Sequence, residues 1–465
     1  MRGRALTAIC FAALLGSCAV GPNYQRPQIS TPSQFRGARG EPVAESIAET
    51  KATDLFADDT LKQILADALR QNFDLRIAAE RVIQARAQYG IARANLLPTV
   101  DLQAQFTAAR SSSVGAARFL PRGTNLASSY TQGGFLFAWE LDMWGRIRRL
   151  TEAARSRYLA TEEARHGVTL SLVSEVMDTY FGLREQDLEL EISRKTGALA
   201  VDSLRLAQIR HDRGAATALE VHQAEQILYL STAQVARAQR QIGLGENALS
   251  LLLGNPPGEI PRGKSLEQIA LAPELPTGLP SSLLERRPDI RQAEAELMAA
   301  NAEIGAARAL LFPQISLTGL FGAQSRGLSS LLTGPARLQN VGPSVLVPIF
   351  HGGLRSGVQL TEAQQREALL SYEKAIYEAL REVSDALVAH DRTREQRIEQ
   401  EKLVQALSES ERLSNLRYRG GLDSYLQVLD AQRNLFAGEL NLAQLRLEEI
   451  ESIIQIYRAL GGGWQ

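Results

Sequence analysis

Five histidines, His166, His211, His222, His351 and His390, are the side chains best suited to binding a metal or moving a proton near neutral pH. Their surroundings support neither role. No His-Glu-x-x-His pair sets two imidazoles on one helical face, and no recognisable nucleophile–base–acid triad surrounds any of them. The run Gly243-Leu244-Gly245-Glu246-Asn247-Ala248 imitates part of a dinucleotide fingerprint. It falls inside a helical heptad pattern with no strand before it, so it is not expected to cradle a phosphate. No enzymatic chemistry, no cofactor and no metal site is expected.

Cys18 carries the one covalent chemistry that the sequence points to. Arg2 and Arg4 precede a short apolar run, Ala5 to Leu15, which ends in Leu15-Gly16-Ser17-Cys18. The run is too short to span a bilayer as a mature helix and has the form of a signal peptide, residues 1–17, ending in a lipobox. In such a motif the Cys18 thiol takes a diacylglyceryl group, and cleavage leaves Cys18 as the first mature residue. Its amine is then free for a further acyl chain, and several chains anchor a protein where one binds only marginally. Cys10, the only other cysteine, lies in the removed segment, so no disulfide is available within the mature chain. Ala19 follows, not the Asp that commonly retains lipoproteins in the inner membrane, which favours the outer membrane.

Composition narrows the class. The 51 basic and 52 acidic residues give a net charge of −1, so no positive excess is available to neutralise a phosphate backbone, and nucleic acid is not an expected partner. Hydrophobic residues at 45% argue against disorder, and aromatics at only 6% suit long helices better than a compact α/β core. Beyond residue 18 no apolar run reaches the length of a transmembrane helix, so a membrane crossing would need β-strands.

The chain is written twice. Asn72-Phe73-Asp74-Leu75-Arg76 matches Arg287-Pro288-Asp289-Ile290-Arg291, and Leu96-Leu97-Pro98 matches Leu311-Phe312-Pro313, at an offset of 215. Further on the offset is 207: Gly145 with Gly352, Glu175-Val176 with Glu382-Val383, Gly214 with Gly421, Leu253-Gly254 with Leu460-Gly461. The first copy therefore holds eight extra residues between its proline and its glycine, in a loop. The expected organisation is a lipidated N-terminal segment (18–59), repeat one (60–255), a Pro/Gly-rich linker (256–280) and repeat two (281–462).

Each repeat reads as a helix, a β-hairpin and a long helical pair. The first helix is expected from about Leu61 to Leu96, stopped by Pro98. The hairpins span about 99–143 and 314–350. Val100, Leu102, Ala104 and Phe106 alternate with Asp101, Gln103, Gln105 and Thr107. Phe135, Phe137, Trp139 and Leu141 share one face of the returning strand, with Ala138, Glu140 and Asp142 on the other. Ile315, Leu317 and Phe321 alternate with Ser316 and Thr318, and the partner strand shows Val345, Val347 and Ile349. Apolar-out, polar-in strands of this length suit a membrane barrel, with Trp139 and Trp144 in its aromatic belt. Four strands cannot close, and open edges in lipid leave backbone groups unpaired, so the chain must oligomerise. Three copies give twelve strands and a water-filled lumen; strand count alone also allows two or four copies. Behind each hairpin, proline-free helices run from Arg146 to about Arg210 and return from about Ala218 to Leu253. Val221, Leu228, Val235, Ile242 and Leu249 recur every seventh residue, as do Val428, Leu435, Leu442, Glu449 and Ile456. Small residues (Ala224, Ser231, Ala238, Gly245; Ala431, Gly438, Ser452) fall three places further on. That is coiled-coil packing with closely approaching helices.

Four segments then carry a specific resemblance: Cys18-Ala19-Val20-Gly21-Pro22-Asn23-Tyr24-Gln25-Arg26-Pro27, the run Trp139 to Arg148, Arg286-Arg287-Pro288-Asp289-Ile290, and Tyr425 to Gln432. They resemble the TolC-like outer-membrane efflux proteins, in the lipoprotein branch serving resistance-nodulation-division pumps. The resemblance implies a mainly α chain with a transmembrane β-barrel: a homotrimer whose twelve strands, four per chain, continue into a long α-helical barrel. It implies a periplasmic adaptor and an inner-membrane pump as partners, a lipid anchor in the outer membrane, and passive export without covalent chemistry. By position it implies a periplasmic gate at Tyr418, Asp423 and Asp430, and adaptor contacts at Arg210, Gly214, Arg417 and Gly421. Asp430 answers to Gln223 in repeat one, so three chains would present three such carboxylates; Gln427 stands where some members carry a second Asp. The alternative reading is a structural or adhesive coiled-coil lipoprotein of the outer membrane, which needs no barrel.

Overall fold

The computed structural model describes residues 19–38, 46–112, 114, 121, 123–269 and 276–464. Cys18 and the signal segment lie outside them. The chain forms two compact units. One comprises residues up to Pro27, Ile83–Ala160 and Ala293–Ser371; the other comprises Gln28–Val82, Thr161–Gln292 and Tyr372 onward. The main elements in chain order are α1 (Asp59–Gln71), α2 (Phe73–Ala94), β1 (Thr99–Arg110), β2 (Ala127–Leu141), α3 (Arg146–Asp212), α4 (Ala218–Leu252), α5 (Pro288–Ala309), β3 (Gln314–Ser325), β4 (Arg337–Leu346), α6 (Gly352–Arg419) and α7 (Tyr425–Ala459). From α2 onward the succession helix, strand, strand, helix, helix occurs twice. No helix among the described residues is long and apolar enough to cross a membrane.

The first unit holds the sheet. Its order is β1-β2-β3-β4, antiparallel throughout, with β1 and β4 as edges. Because side chains alternate along a strand, register decides whether the apolar faces agree. They do: Leu102 pairs Phe135, which pairs Phe321; Val100 pairs Phe137; Trp139 pairs Leu317; Leu141 pairs Ile315, which pairs Val345. The opposite face carries Asp101, Gln103, Gln105, Gln132, Gln324 and the Ser316–Ser344 pair, whose hydroxyls lie 2.8 Å apart. Much of the apolar face is left open by the described residues; Leu102 is 75% and Phe106 67% exposed. Between the two hairpins Gly134 and Gly322 pair directly, and a Cβ on either would stand 2.6 Å from the other's Cα.

Local chemistry shifts several boundaries. β4 ends at Leu346, and Pro348 keeps Val347 and Ile349 out of the ladder, since proline offers no N–H. Pro343 lies inside β4 opposite Leu317, on the outermost strand of the chain's own sheet. Trp139 and Trp144 do not simply face outward. Trp139 Nε1 donates to Leu96 O at 3.0 Å, and Trp144 Nε1 donates to Pro313 O at 2.8 Å while its ring stacks on Phe312 at 4.8 Å. Each indole ties the base of β2 to a helix–strand turn. The segment after Ala19 is fastened to the same unit: Val20 N donates to Trp144 O, the buried Arg149 donates to Val20 O and Asn23 Oδ1, and Asn301 donates to Pro22 O.

In the second unit the expected single first helix is broken at Asn72. Its side chain accepts from Leu75 N and donates to Leu252 O, ending α1 and starting α2. Arg287 occupies the matching place before α5. Buried, it donates to Ala459 O, Asp289 and Glu382. Asp58 caps α1 through Thr60 N and Leu61 N and also accepts from Tyr180 Oη and Lys264 N. In the helical pairs most small seam residues are buried: Ala224, Ser231 and Ala238 on α4, and Ala431, Gly438 and Ser452 on α7; Gly245 is only half-buried.

Replacing Gly322 with Val should prevent β2 and β3 from approaching at their present separation. An overpacked side chain costs about 1–3 kcal/mol, and more where the obstacle is backbone. Gel migration before and after heating checks it: the variant should lose a heat-modifiable folded form, while Gly342→Val, at an open position, should retain it.

Candidate functional site

The candidate residues lie around two helical turns in the second unit, α3 to α4 and α6 to α7. Both turns are built alike. Gly214 N donates to His211 O and Ala215 N to Arg210 O; Gly421 N donates to Tyr418 O and Leu422 N to Arg417 O. This is a Schellman closure, which satisfies carbonyls that a helix end leaves bare and requires left-handed backbone at its glycine. Gly214 has φ +72° and Gly421 φ +74°, with open space around both, so conformation and not room selects glycine. Thr217 then caps α4 by accepting from Glu220 N at 3.4 Å.

Four helices meet above these turns. Ala200 and Ala207 of α3, Ala224 and Ile227 of α4, Tyr418 of α6, and Tyr425, Val428 and Leu429 of α7 form one buried cluster. The alanines let the helices approach closely enough to enclose two tyrosines, whose rings meet edge to face at 5.3 Å. Arg210 lies over the Tyr418 ring at 4.6 Å, and Tyr418 Oη donates to Glu220 Oε2 at 3.4 Å. Burial raises the Tyr418 phenol above its ordinary value; Arg210 opposes that and Glu220 adds to it, so the ring stays neutral. Burial pushes Tyr425 up to about 12.

The structure thus joins Arg210 and Tyr418, which sequence reasoning had put in separate groups, and adds Glu220 and Tyr425. Glu220 was legible only as the fourth residue of a Thr-x-x-Glu start; Tyr425 was quoted for resemblance, not for its contact. Arg417 does not mirror Arg210. It turns back on its own loop, with Nε donating to Asp423 Oδ2 at 2.5 Å, and that hydrogen bond holds Asp423 below the usual carboxylate range. Asp430 joins neither group. It is exposed on α7 and, among the described residues, accepts only from Asn434 one turn on, at 3.2 Å. No group of metal-ligating side chains is found among the described residues.

Comparison with known proteins decides the family. The model of the outer membrane efflux protein family matches two segments, residues 64–255 and 279–462. The chain belongs to that family. It is 40% identical over 458 residues to the solvent efflux pump outer membrane protein SrpC of Pseudomonas putida, covering 97% of this chain and 96% of that one. It is 34% identical to the cation efflux system protein CusC of Escherichia coli, covering 99% of each. The open-state MtrE outer membrane channel of Neisseria gonorrhoeae superposes with a TM-score of 0.86 at 31% identity, covering 96% of this chain and 99% of that one. This outer membrane efflux protein is therefore a transport component and not an enzyme, as its residues suggested, and the coiled-coil adhesin reading falls away.

Two replacements separate the contacts at Tyr418. Tyr418→Phe keeps the ring under Arg210 and loses only the Glu220 bond, about 0.5–1.5 kcal/mol. Tyr418→Ala also loses ring packing, about 3–5 kcal/mol in all. Thermal unfolding of the purified protein checks the order; equal losses would count against ring packing as the main term.

Proposed function

We propose that three copies of this efflux protein close a twelve-stranded barrel in the outer membrane, continued into the periplasm by a tunnel of long helices. The assembly would be the passive exit duct of a tripartite system. One observation carries the reading: the sheet ends in two unpaired strands, β1 and β4, while an apolar face crosses all four strands. In lipid those edges must find partners, and equivalent edges of neighbouring copies supply them without a new kind of contact. Strands of 10–15 residues are long enough to cross when tilted. The polar face then lines a wet bore. Chemical crosslinking in native membranes should stop at three copies, and reconstituted protein should conduct ions. A monodisperse single copy in detergent, silent in bilayers, would overturn the proposal.

The α3–α4 and α6–α7 turns would meet a periplasmic adaptor, through Arg210, Gly214, Arg417 and Gly421, which links the duct to an inner-membrane pump of the resistance-nodulation-division class. The exposure of both glycine turns supports this. Tyr418 and Asp423 would latch the turns, and Asp430, free of any partner across helices, would form a ring of three carboxylates at the constriction. Asp430→Ala should alter ion selectivity or divalent-cation block in single-channel recordings; unchanged conductance in divalent cations would remove Asp430 from the gate. The cargo is left to the pump, since relatives of similar likeness are named for solvents in one case and cations in another.

The lipid anchor is proposed at Cys18. Metabolic labelling with a radioactive fatty acid should mark the wild-type chain and leave Cys18→Ser unlabelled; label retained by Cys18→Ser would place acylation elsewhere.

A further inference from the structure

Midway along α3, far in sequence from either turn, acidic side chains gather where the partner helix is also acidic. Glu185 is only 4% exposed, although a carboxylate in such a place ordinarily has a cation beside it. Its partners are Gln186, whose Nε2 donates to Glu185 Oε2 at 2.5 Å, and the carboxyl of Glu189 one turn on. Glu189 accepts from Gln234 Nε2 of α4 at 3.0 Å. Two turns earlier on α3, Asp178 accepts from Gln455 Nε2 of α7 at 3.4 Å, while its Oδ1 is buried with no hydrogen-bond partner. Glu451, one turn before Gln455 on α7, acts on both Asp178 and Glu185. Two acidic faces are therefore packed against each other.

The charged groups nearby are committed elsewhere or are acidic. Glu175 of α3 and Glu448 of α7 add negative charge. Arg184 pairs with Asp187 and the carbonyl of Lys264. Arg262 of the linker pairs with Asp187 and Glu246. Arg446 pairs with Glu267 and Glu401, and Arg397 with Glu449 and Glu401. Arg458 alone acts favourably on Asp178, from one end of the row. Ionised together, these carboxylates would repel one another, most strongly at the buried Glu185, where charges are less screened than in water.

We propose that the contact between α3 and α7 is a proton-binding site, in which Glu185 holds a proton that it donates to the Glu189 carboxylate and Asp178 takes up a second. The protons stand where basic residues would otherwise be needed, and their loss drives the two helices apart. Burial raises Asp178 to about 7, with Glu451 adding to it, and burial with Glu189 raises Glu185 further above the carboxyl range. The sign follows. A carboxyl whose folded value lies above its unfolded one binds more protons when folded, so stability falls as pH rises from the ordinary carboxyl range through the raised values and is flat beyond them. The reading is independent of the duct: it concerns one chain's helices and makes no use of a pore.

Infrared difference spectroscopy on the purified full-length protein in detergent tests it, comparing about pH 6 with about pH 9. A protonated carboxyl band should be present at the lower pH, vanish at the higher, and shrink in Glu185→Gln and again in Asp178→Asn. Both replacements mimic the protonated group, so the double variant should also lose the fall in unfolding temperature that the wild type shows across that range. No such band in the wild type, or a band and a pH slope that neither replacement changes, would overturn the proposal. Asp178→Asn alone keeps the test decisive if Glu185→Gln misfolds.

Discussion

Backbone N–H and C=O groups at the edges of β1 and β4 set the terms for the whole molecule. Water satisfies such edges on a soluble sheet, but this sheet presents Leu102, Phe135 and Phe321 along one continuous apolar face. A chain that lays that face in lipid cannot leave its edges to water. Four strands are also too few to curl onto themselves. Everything else in the first unit prepares the edges for partners. Gly134 and Gly322 let the two hairpins close up on each other, and the Trp139 and Trp144 indoles hold the strand bases to the turns that feed them. The protein is thus a fragment of a wall, complete in register and incomplete in extent.

The helical second unit solves a different problem, that of ending long helices without losing their last carbonyls. It does so by repetition. Gly214 and Gly421 close their turns with the same pair of hydrogen bonds, and the C-terminal ends of α4 and α7 are each held by a side chain just before the hairpin-leading helix of the same repeat: Asn72 on Leu252 O, and Arg287 on Ala459 O. The amide and the guanidinium do the same work at different cost. Arg287 must be charged while buried, which Asp289 and Glu382 make tolerable.

Equivalence of the two copies stops at the side chains that face the tips. Arg210 lies on the Tyr418 ring of the other copy, while Arg417 folds back onto Asp423 in its own turn. Asp430 has Gln223 as its counterpart. A duplicated backbone thereby carries an unduplicated set of contacts.

Periodicity and punctuation were enough to read the architecture. Strand alternation gave the hairpins, heptads gave the helical pairs, and proline and glycine gave most of the stops, because each is a local preference expressed in consecutive residues. Where a boundary was missed, a side chain had reached a distant atom. Asn72 splits the first helix by bonding Leu252 O, 180 positions away. The same limit applied at the site. The two turn glycines were legible from the need for positive φ. The partnership of Arg210, Tyr418 and Glu220 was not, since it joins α3, α6 and α4 across 208 positions of chain, and nothing in residue order says which arginine will face which ring. Sequence alone determined what the elements are and that four strands do not suffice. Only the tertiary structure decided which buried charges find partners, because pairing energy depends on distance and burial, and both exist only after the helices have packed.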